Sequence, residues 1–383
     1  MKSLEYIVPV PMGIEAIVAK ELRELGYEKQ IVENGKVLFQ GGMEAIPRAN
    51  LWLRTGDRLL IKMAEFHATT FEELFQGTKA IPWEEWLPKE AKFPVLGRSH
   101  ASQLSSVPAC QSIVKKAVVE RMREKYHLSW FEETGPLYTI EVSLLKNKAL
   151  ITLDTTGPSL HKRGYRELAA QAPIKETLAA SLILLSRWSP DRPFHDPVCG
   201  SGTIPIEVVL LGRNIAPGLH RTFPSQEWSI VPQRLWDLAR GEAKDLARRN
   251  LRLEITGTDR DEKVLSLAHY HSRRAGVSET IRFRPLPVKE VALKGEYGVL
   301  IANPPYGERI GGDQEVEDLY RQMGRLYERN PSWSFFVITS HPAFEALFGR
   351  KATKNRKLYN GRIETHYYQY FGPFPPRKEE EEA

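Results

Sequence analysis

The stretch that decides the fold of the second half of the chain is DPVCGSGT, residues 196–203. It begins within a strand pattern from Phe194 to Val198 and precedes a helix that we expect to begin near Ile204. Glycines at the carboxyl end of a first strand let the backbone approach a ligand closely. Because the spacing is not GxGxxG, it favours a ligand without phosphates over a dinucleotide. Taken alone, the same stretch is equally typical of an ordinary tight turn.

Two carboxylates, one in a predicted strand and one at the end of the next, can hold such a ligand through hydrogen bonds. Asp196 can accept hydrogen bonds from the ammonium group of an amino acid moiety. Asp259, in GTD at 257–259, ends the next strand, where a carboxylate can accept both hydroxyls of an adenosine ribose. Its alternative role, compatible with the first, is to cap the helix that begins near Asp261.

The most specific motif is NPPY, Asn303-Pro304-Pro305-Tyr306, directly after a predicted strand from Gly298 to Ala302. Two prolines fix the backbone and remove two N–H donors, so carbonyls point outward at the strand end. An asparagine carbonyl and a proline carbonyl can together accept both hydrogens of an aromatic amine, which directs the nitrogen lone pair toward an incoming methyl group. Tyr306 can stack on a base that is extruded or unpaired.

The second half of the chain alternates strand and helix signals. This rhythm predicts an α/β fold, a Rossmann-like parallel sheet with helices on both faces. The predicted strands are Phe194 to Val198, Glu254 to Thr258, Ile281 to Arg284, Gly298 to Ala302 and Trp333 to Ser340. Two further runs, Lys354 to Tyr359 and Arg362 to Phe371, flank Asn360-Gly361, which predicts a terminal antiparallel hairpin with its turn at that dipeptide.

The first half has a different texture. Residues 1–66 predict a βαββαβ order that is compatible with a ferredoxin-like unit. In residues 67–157 tryptophans are scattered among basic side chains, and a predicted helix from Gln111 to Tyr126 carries five basic residues. Charge alone favours a solvated face on that helix over a binding surface.

Bulk properties narrow the class of protein. A chain of 383 residues suits two or three domains. Its net charge of +6 permits attraction to phosphate backbones without requiring it. The two cysteines, Cys110 and Cys199, predict neither a disulfide framework nor a zinc site. We therefore expect no metal. We find no secretory signal pattern and no run near the ~20 apolar residues that span a bilayer, so we expect no membrane partner and a cytoplasmic location.

Together the motifs DPVCGSGT, GTD and NPPYGER resemble those of class I methyltransferases that modify exocyclic amines. The chain is most similar to the THUMP-domain guanine-N2 methyltransferases of large-subunit ribosomal RNA, the RlmL/YpsC-like group. The segments APIKETL at 172–178 and LYNGRIE at 358–364 also resemble that group. The resemblance covers nearly the whole chain and implies α+β ferredoxin-like and THUMP domains ahead of the methyltransferase sheet.

The resemblance implies the domains 1–66 (ferredoxin-like), 67–157 (THUMP) and 158–376 (methyltransferase), followed by an acidic tail at 377–383. It implies S-adenosylmethionine as the cofactor and RNA, in particular large-subunit (23S) rRNA, as the partner. The residues that it assigns to the cofactor are Asp196, Pro197, Gly200, Gly202, Thr203, Asp259, Asn303, Pro173 and Thr177. Those that it assigns to catalysis are Asn303, Pro304, Pro305 and Tyr306.

Because THUMP domains bind RNA, the resemblance also makes Lys115, Lys116 and Arg121 candidates for phosphate contact. One departure concerns the stretch after the third strand of the sheet, residues 284–288, which lacks the acidic residue that commonly meets the adenine amine. The expected activity is that of an enzyme that methylates guanine N2 in 23S rRNA.

Two rival readings stay open. Adenine N6 in RNA or DNA is an alternative target, because the same carbonyl pair serves any aromatic amine. A non-catalytic RNA-binding factor in ribosome assembly is the other, although the intact run of motif residues argues against it. The neighbours His195 and Cys199 are expected to be packing residues without a catalytic role.

Overall fold

The computed structural model describes residues 3–166, 174–307 and 313–376. The chain divides into two compact units, each built from separate stretches of sequence. The first comprises Met1–Val10, Val18–Leu160 and Gly218–Ala243, and the second comprises Pro11–Ile17, His161–Pro217 and Lys244–Ala383.

From residue 3 onward, the N-terminal part of the chain contains seven strands and four α-helices. The strands are β1 (Leu4–Pro9), β2 (Gln30–Glu33), β3 (Lys36–Gly41), β4 (Leu60–His67), β5 (Val95–His100), β6 (Thr139–Leu145) and β7 (Lys148–Asp154). The helices are α1 (Glu15–Glu24), α2 (Ala45–Trp52), α3 (Phe71–Lys79) and α4 (Val107–Tyr126). The predicted βαββαβ order of residues 1–66 is therefore present, and the helix predicted from Gln111 to Tyr126 begins four residues earlier, at Val107.

The seven strands form one sheet in the order β2-β3-β1-β4-β7-β6-β5. β4 pairs antiparallel with β7, so a strand of the predicted ferredoxin-like segment is hydrogen-bonded to one of the following segment. The buried Asn50 strengthens this junction, because its Nδ2 donates to Thr155 Oγ1 (2.8 Å) and its Oδ1 accepts from Thr156 Oγ1 (2.6 Å). A paired polar network of this kind is stable only when every buried group is satisfied.

Residues 218–243 belong to the first unit, although they follow the start of the predicted methyltransferase segment. Trp228 stacks on Tyr138 with ring centroids 4.6 Å apart, and its Nε1 donates to the Leu137 carbonyl (2.8 Å). Glu242 accepts two hydrogen bonds from Arg48 (2.8 and 2.9 Å). The division into three consecutive domains stays a prediction; the compact units are discontinuous in sequence.

The C-terminal part contains the second sheet and, in the described ranges, six α-helices, of which α7 lies mostly within the stretch 218–243 of the first unit. Its strands are β8 (Phe194–Asp196), β9 (Ile255–Asp259), β10 (Ile281–Pro285), β11 (Val299–Ala302), β12 (Ser334–Thr339), β13 (Lys354–Asn360) and β14 (Ile363–Tyr370). The helices are α5 (Glu176–Ser186), α6 (Thr203–Gly212), α7 (Gln233–Asp245), α8 (Glu262–Arg274), α9 (Asp313–Glu328) and α10 (Phe344–Phe348).

The strand order of this sheet is β10-β9-β8-β11-β12-β14-β13. The strands from β10 to β12 are parallel, and β14 pairs antiparallel with β12 and with β13. Every residue of β8, β11 and β12 is buried, as expected for strands covered on both faces. The α/β prediction and the terminal antiparallel pair are confirmed.

The chain order along this sheet reverses between β8 and β11. β9 and β10 lie on one side of β8, and β11 and β12 lie on the other. In open α/β sheets the crevice at such a reversal, outside the carboxyl ends of the strands, is where ligands bind. DPVCGSGT follows β8 and NPPY follows β11, so both motifs stand at this point.

The turn of the hairpin lies one residue later than predicted. Asn360 still pairs with Ile363 across the two strands, which makes Gly361 and Arg362 the turn residues. Gly361 has φ +67°, and glycine in the first central position with positive φ is the signature of a type II′ turn. The prediction of an Asn360-Gly361 turn is therefore wrong, and Asn360 ends β13 instead.

No helix in the described ranges is both long enough and apolar enough to cross a membrane.

Candidate active site

A cavity of about 880 Å³ opens at the carboxyl ends of β8, β9 and β11. It is lined by nine of the residues assigned to the site from sequence: Asp196, Pro197, Gly200, Thr203, Asp259, Asn303, Pro304, Pro305 and Tyr306. Residues that lie more than a hundred positions apart in the chain thus meet at the reversal of strand order.

Asp196 is the most buried charged group of the cavity wall, with 1% of its surface exposed. Its Oδ1 accepts a hydrogen bond from the Val198 N–H (3.1 Å). Burial raises the pKa of Asp196 well above its usual range; the Val198 N–H opposes this effect, and the nearby charge of Asp259 adds to it. A cation bound in the cavity would therefore stabilise the ionised form of Asp196.

Asp259 ties the glycine loop to the end of β9. Its Oδ2 accepts from the Gly200 N–H (2.9 Å), and its Oδ1 accepts from the Asp261 N–H (3.0 Å). Asp261, and not Asp259, is the N-cap of α8, because its side chain accepts from the Lys263 N–H (2.8 Å). The alternative reading of Asp259 as the helix cap is therefore wrong.

The glycine loop is shaped by two left-handed glycines. Gly200 has φ +52° and Gly202 has φ +83°, conformations that favour glycine. A Cβ on Gly202 would lie 3.0 Å from both Ala268 Cβ and Phe283 Cζ. Gly202 stands at the N-cap of α6 and is not among the residues that line the described part of the cavity, so its contribution there is packing of the loop.

The NPPY turn is fixed by hydrogen bonds from two tyrosines. Tyr306 Oη donates to Asn303 Oδ1 (2.7 Å) within the turn. Tyr320, fully buried on α9, donates to the Pro305 carbonyl (2.9 Å) and also lies 2.8 Å from Thr339 Oγ1. The Pro305 carbonyl is thus engaged by the protein itself, and Tyr320 is a supporting residue that no sequence motif indicated.

Several lining residues were not predicted. α9 contributes Val316, Leu319 and Gln322, and the hairpin contributes Asn360 and Ile363. Val316 and Leu319 stand three residues apart, and this helical spacing could have placed them on one face of α9. Asn360 was assigned to a turn, so its reach into the cavity had no signal in the sequence.

The remaining cofactor candidates have different outcomes. Thr177 is buried in α5 and does not line the described part of the cavity, whereas its neighbour Ile174 does. Pro173 lies outside the described residues. His195 is buried, 3.1 Å from Thr258 Oγ1, and burial lowers its pKa to about 4.

A second cavity of about 390 Å³ adjoins the first and shares Tyr306, Gly307 and Ile363 with it. Glu317 and Glu364 bring carboxylates to its lining. Tyr306 therefore stands where the two cavities meet.

The candidate RNA-binding residues on α4 lie in the first unit. Lys115 Nζ lies 2.5 Å from Glu133 Oε1 and 3.5 Å from the centroid of the Phe93 ring. Arg121 pairs with Glu84 through two hydrogen bonds (2.6 and 2.8 Å). Lys116 is exposed and lies over the Phe75 ring.

Across the described ranges, no three His, Cys, Asp or Glu side chains cluster in a way that could hold a metal ion.

Three family models match the chain. Residues 5–60 match the RlmL ferredoxin-like domain, residues 68–154 match the THUMP domain, and residues 163–369 match the RMKL-like methyltransferase domain. These matches confirm the fold that the sequence predicted.

Two relatives share the family. The chain is 50% identical over 384 residues to "Putative RNA methyltransferase YpsC" of Bacillus subtilis, with all of both chains covered. It is 32% identical over 374 residues to "Ribosomal RNA large subunit methyltransferase K/L" of Psychromonas ingrahamii. The matched residues cover 94% of this chain and 49% of that relative.

Two solved structures are similar over 97% of this chain, both with a TM-score of 0.93. One, 53% identical and covered to 97%, is described as a predicted N6-adenine-specific DNA methylase from Listeria monocytogenes. The other, SMU.472, is 45% identical, covered to 99%, and is described as a putative methyltransferase complexed with SAH. The chain belongs to the family of THUMP-containing, S-adenosylmethionine-dependent methyltransferases with an RMKL-like methyltransferase domain.

Proposed function

We propose that the chain methylates an exocyclic amine of an RNA base, and that guanine N2 in large-subunit (23S) rRNA is the target. One observation carries the proposal: the NPPY turn after β11 shares a cavity with Asp196 and Asp259, which end β8 and β9. One cavity would thus hold both the target amine, at the NPPY turn, and an amino acid nucleoside, at the two aspartates.

The cavity residues fit S-adenosylmethionine. Asp196 would hold the ammonium of the methionine part, which relieves the cost of its buried charge. Asp259 would hold the ribose, since each carboxylate oxygen that accepts a backbone N–H keeps a further lone pair. Pro287 and Val288 line the cavity after β10, so apolar contact replaces the missing acidic residue beside the adenine.

Asn303 and Pro304 would hold the target amine. Bound S-adenosylmethionine supplies a methyl group on a sulfonium. Asn303 Oδ1 accepts from the Tyr306 hydroxyl and keeps a second lone pair, so we assign it and the Pro304 carbonyl as the two acceptors for the amine. These two acceptors orient the amine and draw its lone pair out of conjugation, which makes a neutral amine nucleophilic without a general base.

Guanine is favoured over adenine by the chemistry of the smaller cavity and by the relative named as a large-subunit rRNA methyltransferase. Next to its exocyclic amine, guanine carries an N1–H donor, whereas adenine carries an N1 acceptor. Glu317 and Glu364 line the smaller cavity, and each pairs through Oε2 with a cation, Arg321 or Lys357. The Oε1 atom of each carboxylate can accept from such a donor. Adenine N6 is the second candidate, because the Listeria structure is described as an adenine-specific methylase.

The first unit, which contains α4, would bind the RNA. Relatives described as RNA methyltransferases and the THUMP match both support RNA over DNA. Of the three lysine and arginine candidates on α4, Lys116 is the exposed one, and Lys115 and Arg121 are held in ion pairs. We therefore assign phosphate contact first to Lys116.

The test is the identity of the methylated nucleoside. The protein and its Asn303→Ala variant are incubated with methyl-labelled S-adenosylmethionine and total RNA from cells that lack the protein, and the digested nucleosides are separated. We expect label in N2-methylguanosine, reduced by about 10²–10³-fold in the variant, at a cofactor concentration that saturates both proteins, because Asn303 is also assigned to the cofactor. Label in N6-methyladenosine would overturn the base assignment. No label together with no cofactor binding would favour the non-catalytic assembly factor.

A further inference from the structure

Asn360 is the last residue of β13 and reaches the tyrosine of the NPPY turn. Its Nδ2 donates a hydrogen bond to Tyr306 Oη (3.1 Å). Both side chains are half-buried and both line the larger cavity. Pairing with Ile363 holds Asn360 in the strand, so its amide is presented by a paired backbone and not by a turn.

The contact continues to Asn303 as a directed relay. A tyrosine hydroxyl has one hydrogen to donate. Because Asn360 supplies a hydrogen to Tyr306 Oη, the hydroxyl accepts on that side and gives its own hydrogen to Asn303 Oδ1 (2.7 Å). The hydrogen bonds thus run in one direction, from Asn360 through Tyr306 to Asn303.

The relay decides which end of the Asn303 amide faces the target. The oxygen and nitrogen ends of an asparagine side chain have nearly the same shape but opposite hydrogen-bonding roles. With the Tyr306 hydroxyl as donor, the acceptor end Oδ1 is kept at the reacting side, and its second lone pair stays available for an N–H of the base. A flipped amide would set its own N–H groups against the amine.

We propose that Asn360 is a positioning residue for methyl transfer, which acts through the Tyr306 hydroxyl to hold Asn303 in its acceptor orientation. This inference rests on the proposed function, since it concerns the amine that Asn303 accepts. It places a functional residue on the C-terminal hairpin, outside the motifs that carry the cofactor and the amine.

A double-mutant cycle tests the relay. Single-turnover methylation of RNA by the full-length protein is measured for Asn360→Ala, Tyr306→Phe and the double variant, at saturating cofactor. Each single change removes one link, and the loss of a hydrogen bond slows the step about tenfold. Because both act through the same hydroxyl, we expect the double variant to be slowed about tenfold and not about a hundredfold, with cofactor affinity unchanged.

Two further variants separate positioning from a structural role. Asn360→Asp keeps the size of the side chain but loses the N–H donor, so it should be as slow as Asn360→Ala. Asn355→Ala makes the same chemical change on the same strand, where Asn355 Oδ1 meets His366 Nδ1 at 3.0 Å and does not contact Tyr306. It should keep the wild-type rate, and the melting temperatures of all variants should agree.

The outcomes are distinguishable. Losses that multiply in the double variant, full activity of Asn360→Asp, or an equal loss in Asn355→Ala would each overturn the relay while the wild-type protein still methylates RNA. If the wild-type protein binds the cofactor but methylates no RNA base, the proposed function fails, and the inference fails with it.

Discussion

At the scale of single residues, the two carboxylates of the site differ in their surroundings. Asp196 is buried, and its raised pKa shows that its charge is costly in the cavity without a cation. Asp259 has both oxygens engaged by backbone N–H groups, so its position is set before any ligand binds. The two carboxylates therefore have different roles, one electrostatic and one geometric.

The affinity for S-adenosylhomocysteine should depend on the protonation of Asp196. In the unliganded protein the raised pKa means that the folded chain holds a proton that the unfolded chain releases, so unliganded stability falls as pH rises. A bound ammonium favours the ionised carboxylate, so affinity should increase as the pH rises through the raised pKa of Asp196.

Asp196→Asn should weaken binding by about 10–100-fold at neutral pH and remove that part of the pH dependence. Calorimetry with the exposed Asp318→Asn as control measures both. An Asp196→Asn variant that keeps the affinity and pH profile of the wild type would show that the ammonium lies elsewhere.

At the scale of elements, backbone hydrogen bonds hold the glycine loop between β8 and α6 in place. The backbone N–H of Cys199 donates to the Thr258 carbonyl (2.9 Å), and that of Gly202 donates to the Cys199 carbonyl (2.8 Å). The loop therefore connects β8 to β9 and also closes on itself. Its two left-handed glycines have different surroundings, which makes them a matched pair for a test.

Gly202→Ala should cost more stability than Gly200→Ala. Both substitutions strain the backbone by about 1–2 kcal/mol. A Cβ at Gly200 meets no atom within 4 Å, whereas one at Gly202 is pressed against Ala268 and Phe283, which adds about 1–3 kcal/mol. Urea unfolding compares the two, and equal losses would mean that the loop relaxes to make room.

The sequence predicted the strands and helices better than the turns that connect them. Strand and helix bounds follow from local periodicity, and the NPPY and DPVCGSGT motifs from residue types at strand ends. The turn of the hairpin was misplaced by one residue because Asn-Gly is the strongest short hairpin signal, while cross-strand pairing with Ile363 holds Asn360 in β13. The local sequence does not show which residues pair across neighbouring strands.

At the scale of the whole molecule, residues 218–243 show what sequence could not reveal. Their attachment to the first unit depends on contacts with residues about ninety or more positions away, such as Trp228 with Tyr138 and Glu242 with Arg48. The ion pairs of Lys115 and Arg121 were hidden for the same reason, because Glu133 and Glu84 lie on other elements. Local charge patterns cannot identify such partners.

Trp228→Ala should destabilise the first unit strongly. The side chain is 1% exposed and makes both the stack on Tyr138 and a hydrogen bond to Leu137. Truncation of a buried tryptophan costs about 3–5 kcal/mol, which chemical denaturation would detect. Leu238→Ala on α7, at a side chain that is 61% exposed, should change stability by less than about 0.5 kcal/mol. Equal effects would contradict the assignment of 218–243 to this unit.

Lys116→Ala should weaken RNA binding without loss of stability. An exposed lysine that contacts a phosphate lowers the slope of log affinity against log salt by about 1 when it is removed. Lys115→Ala should instead lower the melting temperature, because it leaves Glu133 without its ion-pair partner. Fluorescence anisotropy with an rRNA fragment at several salt concentrations would distinguish the two, and an unchanged slope for Lys116→Ala would exclude it from the RNA contact.

One measurement in cells decides whether this protein methylates guanine N2 in large-subunit rRNA. Large-subunit rRNA is purified from cells that lack the protein, and from the same cells supplied with the wild-type chain or with Asn303→Ala, and its nucleosides are mapped by mass spectrometry. We predict that one N2-methylguanosine is absent without the protein, returns with the wild-type chain and does not return with the variant. An rRNA that carries the same N2-methylguanosines in all three strains would contradict the proposed function.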